Sequence, residues 1–257
     1  MLVWPANRPR DFLVEVSEGK IPGYSIVHKF GRNDAVPNGS WEMISLLSGA
    51  ALFLGEAKTV QIQAGGNAAD TAAGAGAREV MVQGIASDLT ETSEAIVTDG
   101  INASVPTTVL FWRIYRAWVS ACGTYGAANT GAITIESGGF GPIDLIKIGV
   151  EEGQSQFAGY TTPAGKHGHL LSAHVTVDAA KAADVRVYTR QNITDTVAPM
   201  SARRLRFYWD GIINEFTYKP VAPELSLPPL TDIWFEAEGG GAGTEVSADF
   251  ELLLADD

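Results

Sequence analysis

Residues 64–85 read AGGNAADTAAGAGAREVMVQGI, a glycine–alanine tract that runs into an arginine and then into alternating apolar positions. Two folds compete for it. A dinucleotide-binding loop needs its glycines after a strand and before a helix, so that the pyrophosphate meets the helix N-terminus. Here the glycines precede an alternating stretch, EVMVQGI, and no helical period follows. The phosphate-binding P-loop pattern, Gly-x-x-x-x-Gly-Lys-Ser/Thr, is absent from the whole chain. The tract therefore reads as a β–β turn, with Asp70 and Thr71 organising it and Arg78 opening the next strand.

The same period of two recurs outward from this point. TVQIQ (59–63), REVMVQGI (78–85), SEAIVTD (93–99) and AITIES (132–137) each alternate, and turn clusters separate them. TTVLFWRIYRAWVSA (107–121) is apolar on both faces, as expected of a strand shared between packed layers. After the EEGQSQ junction a second alternating set follows, from FAGYTTPAG to TEVSADFELLLAD. Within it VAPELSLPPL (221–230) reads as an extended connection, since proline cannot donate to a sheet interior. His167 and His169 fall on one strand face and His174 on the other. No segment shows the apolar period of a helix of a dozen residues. The expected fold is all-β: two tandem β-sandwich or jelly-roll-like domains over 40–150 and 151–257.

Residues 1–39 differ. Pro5, Pro9, Pro22 and Pro37 interrupt them and no period is sustained, so they read as an extended N-terminal arm held by something other than its own core. The apolar Trp4, Phe12, Tyr24, Ile26 and Phe30 are the expected anchors of such an arm on a partner. Arg8 and Arg10 are expected to pair there with acidic neighbours.

Thirty acidic residues against 18 basic give a net charge of −12, which sets the chain against free nucleic acid as a partner. The single cysteine, Cys122, forms no intrachain disulfide and excludes a cysteine-based zinc site. MLVWPANRPRDFLVEV has no unbroken apolar core of a signal peptide, and MISLLSGAALFLG is too short to cross a bilayer. Synthesis in a cytosol, no membrane partner and no cofactor are expected. His167 and His169 lack a third ligand placed by spacing, with His174 expected on the opposite face, so they read as a solvated strand entry rather than a metal site. Glu151, Glu152, Glu236 and Glu238 could serve acid–base chemistry only if the fold set two of them across a cleft. Trp112, Tyr115, Trp118, Tyr208, Trp209 and Trp234 fit a core, or a sugar-binding platform if exposed. No catalytic residue is assigned.

Taken in order, IPGYSIVHKFGRN (21–33), WEMI (41–44), AADTAAGAGAREVMVQGI (68–85), SEAIVTDG (93–100), GAITIES (131–137), GQSQFAGYTTPAGK (153–166), AADVRVYTR (182–190) and TEVSADFELLLAD (244–256) resemble a group of uncharacterised structural proteins of tailed-bacteriophage virions. The order of the segments carries the resemblance, which spans most of 21–256. Residues 45–57 are more apolar than that group's pattern, and 137–148 and 201–230 match nothing in it. The resemblance implies a non-enzymatic virion protein made in the host bacterial cytoplasm. The favoured form is a trimeric capsid decoration (cement) protein that contacts the major capsid protein or other virion proteins. A neck, tail or fibre-base part is the alternative. A carbohydrate-binding or depolymerising module at the host surface is the competing reading from another class.

Overall fold

A computed structural model describes residues 11–49, 53–178, 180–220 and 225–257. The helix present is α1 (Phe12–Ser17), capped by the Asp11 carboxylate, which accepts from the Leu13 and Val14 amides. The strands are β1 (Tyr24–Val36), β2 (Glu42–Met43), β3 (Val60–Ile62), β4 (Ala77–Ala86), β5 (Glu91–Val97), β6 (Phe111–Cys122), β7 (Ile133–Ser137) and β8 (Asp144–Ile148). They continue with β9 (Gly159–Thr161), β10 (Lys166–Val177), β11 (Ala182–Gln191), β12 (Arg204–Ile213), β13 (Glu215–Tyr218), β14 (Ser226–Leu227), β15 (Thr231–Gly239) and β16 (Thr244–Asp256). The described chain is thus nearly all β, as the period of two requires.

The strands form four antiparallel sheets. One runs β1-β16-β10-β13, with β14 also on β10; a second runs β12-β11-β15-β2, with β9 also on β15. These two face each other, with the Phe235 and Phe250 rings stacked 5.0 Å apart between them. Strand β16 shows how the sequence enforces this: Val246, Ala248, Phe250, Leu252 and Leu254 point inward and are buried, while the residues between them face out. The two remaining sheets, β3-β7-β8 and β5-β4-β6, come from the segment between β2 and β9. That segment is an insertion into the sandwich, and its core is continuous with the sandwich core.

The arm expectation is corrected here. Residues 24–36 are not an arm: β1 pairs with β16 of the same chain from Tyr24↔Ala255 to Val36↔Thr244. The sequence hides this strand because three of its four buried positions are Lys29, Gly31 and Asn33, and Val36 alone is a large apolar residue. Gly31 is required there, since a Cβ would lie 2.2 Å from the Ala158 amide nitrogen and 2.3 Å from the Ile44 carbonyl oxygen. Asn33 spans the same seam, donating to the Met43 carbonyl and the Glu42 carboxylate at 3.1 Å each. Domain bounds at 39 and 150 likewise do not follow the sheets, because β1 and β2 precede the insertion yet belong to the sandwich that follows it.

The tract at 64–85 is a turn feeding β4. Asp70 is buried, and its carboxylate accepts from the amides of Ala77 (2.7 Å), Thr130 (2.8 Å) and Gly131 (2.8 Å). Gly76 lies so close that a Cβ would sit 2.1 Å from the same carboxylate, so the glycines serve a packed turn. Arg78 closes it from outside, its Nε donating to the Gly74 carbonyl at 2.8 Å.

Candidate functional site

Two kinds of charged site emerge among the described residues: buried ties between the insertion and the sandwich, and a groove lined by arginine and tryptophan. The ties centre on β6. Arg113 on β6 makes a two-pronged ion pair with Asp232 on β15 (2.9 and 3.0 Å), both side chains being almost wholly buried. Asp232 also accepts from the Thr161 hydroxyl at 2.7 Å, and Arg113 donates to the Leu54 carbonyl at 3.1 Å. Further along β6, the ammonium of Lys29 donates to the Tyr115 carbonyl, and Arg116 donates to the His28 carbonyl at 2.5 Å. Tyr160 reaches back to Glu91 on β5 at 3.0 Å. Burial holds the Lys29 pKa well below the ordinary lysine value, Arg116 pushes it the same way, and Glu91 opposes them. Burial also raises Tyr160 and Tyr115, with the Glu91 carboxylate adding to both. A cavity of about 180 Å³ lies against this seam, lined in part by Met43, Phe53, Trp112, Leu145 and Phe157.

The groove lies on the outer face of β11 and β15 and encloses about 610 Å³. Its register explains its content. Arg186 stands opposite Glu236, and Tyr188 opposite Trp234. Glu236 is buried, takes two bonds from Arg186 (3.0 and 3.1 Å), one from the Trp234 indole at 2.8 Å, and pairs with Arg203 at 3.5 Å. Trp41 covers the Arg186 guanidinium at 3.8 Å, and Arg203 lies over the Tyr188 ring at 4.6 Å. Arg190 is held by the carbonyls of Asp195 (2.7 Å) and Ser201 (3.2 Å). Three guanidinium groups against one carboxylate leave this groove with a positive excess on an acidic protein. Such a surface accepts anionic or planar polar groups.

The residues singled out from the sequence are dispersed. Trp4, Arg8 and Arg10 lie outside the described residues. Ile26 and Phe30 sit on β1, and the exposed Phe12 ring packs edge-on against the exposed Tyr24 ring at 5.4 Å. Leu13 and Val14 beside them are also exposed. His174 does not face away from His167 and His169: a register shift between Leu170 and Ser172 returns it to their face, where it pairs with Asp249 (3.2 Å) and Glu215 (3.7 Å). No group of three or more metal-ligating side chains converges among the described residues.

Glu152 binds Arg32 at 2.6 Å, and Glu236 and Glu238 follow each other along β15. Tyr115 and Trp234 are buried, Trp112, Trp118 and Trp209 half-buried, and Tyr208 exposed, so the six aromatics form no common platform. Trp209 instead closes one side of the sandwich with Phe216, Tyr218 and Phe235. The sequence candidates Trp234 and Glu236 both line the groove, but the groove itself was not expected. The one available signal was SARRLRF (201–207), a basic run in an acidic chain.

No protein-family model and no curated protein matches the chain. Among solved structures it is weakly similar to T=1 particles derived from infectious bursal virus, at 12% identity and a TM-score of 0.26, over 98% of this chain and 72% of that one. It is also weakly similar to the VP2 subviral particle of infectious bursal disease virus, at 10% identity and a TM-score of 0.24, over 98% and 74% of the two chains. At these scores the likeness carries no argument about what this chain builds or binds. No described helix is long and apolar enough to cross a membrane.

Proposed function

We propose that this chain is a non-enzymatic structural component of a tailed-phage virion, and within that class a capsid decoration (cement) protein assembled as a trimer on the major capsid protein. The jelly-roll character of its β units belongs to the same proposal. The ordered set of segments resembling phage virion proteins, from 21–33 through 244–256, is the observation that carries it. Two physical features support it. The buried charges described above are spent on joining β units to one another, which favours a rigid body. The exposed Phe12, Leu13, Val14 and Tyr24 form an apolar cluster beside the N-terminal residues that carry Trp4, Arg8 and Arg10. Seated on a neighbour, such a cluster contributes about 25 cal/mol for each Å² of apolar surface it buries.

Quantitative protein staining of purified particles tests the assignment. A decoration protein is present in hundreds of copies per particle. A dozen or so copies would move it to the neck, tail or fibre base. The groove at Trp41 and Arg186 keeps the glycan-binding reading in play, and a glycan array tests that. Specific capture of a host polysaccharide, lost in Trp41→Ala, would favour it over the shell role.

A further inference from the structure

On the inner side of the β11–β12 ladder, the register brings together a second set of polar groups. Thr189 is paired with Arg204, and Gln191 with Thr231, at the open end of the sandwich, where the two threonines are buried, Gln191 is half-buried and Arg204 is exposed. With Arg206 and Ser226 they surround a cavity of about 120 Å³. That is well above the ~10–15 Å³ needed to admit one water molecule.

Two features of this cavity stand out. First, Arg204 and Arg206 have no hydrogen-bond or ion-pair partner among the described residues. Every other described arginine has one: Arg32 with Asp34 and Glu152, Arg78 with Gly74, Arg113 with Asp232, Arg116 with His28, Arg186 and Arg203 with Glu236, and Arg190 with Asp195 and Ser201. A chain with 30 acidic residues places none of those described against these two guanidinium groups. Second, the Thr231 residue is 1% exposed, and its hydroxyl oxygen is buried with no hydrogen-bond partner. A buried hydroxyl is rarely left unsatisfied, because the lost water contact is not recovered. Two guanidinium groups lining one cavity, together with a buried hydroxyl donor, are the equipment of an oxyanion site.

We propose that this cavity binds a single oxyanion, a phosphate or a carboxylate, with Arg204 and Arg206 supplying charge and Thr231 the buried donor. The inference is independent of the virion role, since it rests on the cavity alone.

Calorimetric titration of the full chain with inorganic phosphate, and separately with acetate, at constant ionic strength tests it. One saturable site per chain is expected for at least one ion. Tighter binding of phosphate identifies a free or ester phosphate as the natural ligand class, and tighter binding of acetate a carboxylate. The Arg204→Gln/Arg206→Gln double variant should lose at least tenfold in affinity, equivalent to about 1.4 kcal/mol. Thr231→Val, which keeps the side-chain shape, should lose several-fold while its thermal midpoint without ligand stays near that of the parent. Absence of saturable binding for both ions overturns the proposal, as does unchanged affinity in the double arginine variant.

Discussion

Lys29 places its amine in an almost fully buried position, where it donates to one carbonyl oxygen. Its depressed pKa has a definite consequence for stability. Between the folded pKa and the ordinary value near 10.5, the unfolded chain binds a proton that the folded chain does not. Stability therefore rises with pH across that window, by up to about 1.4 kcal/mol per pH unit for one proton. Lys29→Met removes the titration, so urea midpoints measured from pH 7 to 9.5 should climb less steeply in the variant. Parallel profiles would show that Lys29 does not titrate in this way. Asp70 contributes through hydrogen bonding, as a buried carboxylate that accepts from the backbone amides of Ala77, Thr130 and Gly131. Asp70→Ala strands those amides and should cost about 3 kcal/mol in chemical denaturation. A loss below 1 kcal/mol would mean the turn closes without it. The role of Asp70 was legible in AADTAAGAGAR because glycines without a following helix leave only a turn. Lys29 was not, because one lysine among apolar neighbours reads as a solvent-facing position.

At the scale of elements, legibility depended on what each strand buries. Strand β16 buries alternate apolar residues and announces itself; β1 buries Lys29, Gly31 and Asn33 along its length, with Val36 alone apolar at its end, and reads as turns. Its polar atoms are satisfied by residues distant in sequence, information that no local period contains. The consequence is testable by truncation. Removal of residues 1–22 takes away α1 and should leave the body folded with a midpoint lowered by a few degrees. Removal of 1–39 deletes β1 and exposes the edge of β16, so the product should be unfolded or aggregated. A soluble, cooperatively folding 40–257 fragment would contradict the pairing of β1 with β16. The seam between β6 and β15 depends in the same way on Arg113. Arg113→Met leaves Asp232 buried without its cation, and a loss of about 3–5 kcal/mol is expected. Hydrogen exchange should localise the opening to β6 and β15; uniform protection with little loss would assign the seam to its apolar contacts instead.

For the whole molecule, the alternating pattern gave the β class but not the order of assembly. Insertion of one β unit into another is invisible to a local reading, because β1 and β2 stand before the inserted strands and join sheets completed after them. The groove and the oxyanion cavity were equally hidden. The groove takes Arg186 and Arg190 from β11 and Arg203 from just before β12, the cavity takes Arg204 and Arg206 from β12, and both complete their lining with residues distant in sequence. The functional proposal stands on the expected resemblance to phage virion proteins that is read from the order of the segments. Gold-labelled antibody against this chain, applied to intact purified particles, addresses that proposal most directly. Dense labelling over the whole shell is the expected result. Particles that carry no label, from preparations in which the protein remains entirely in the host lysate, would contradict it.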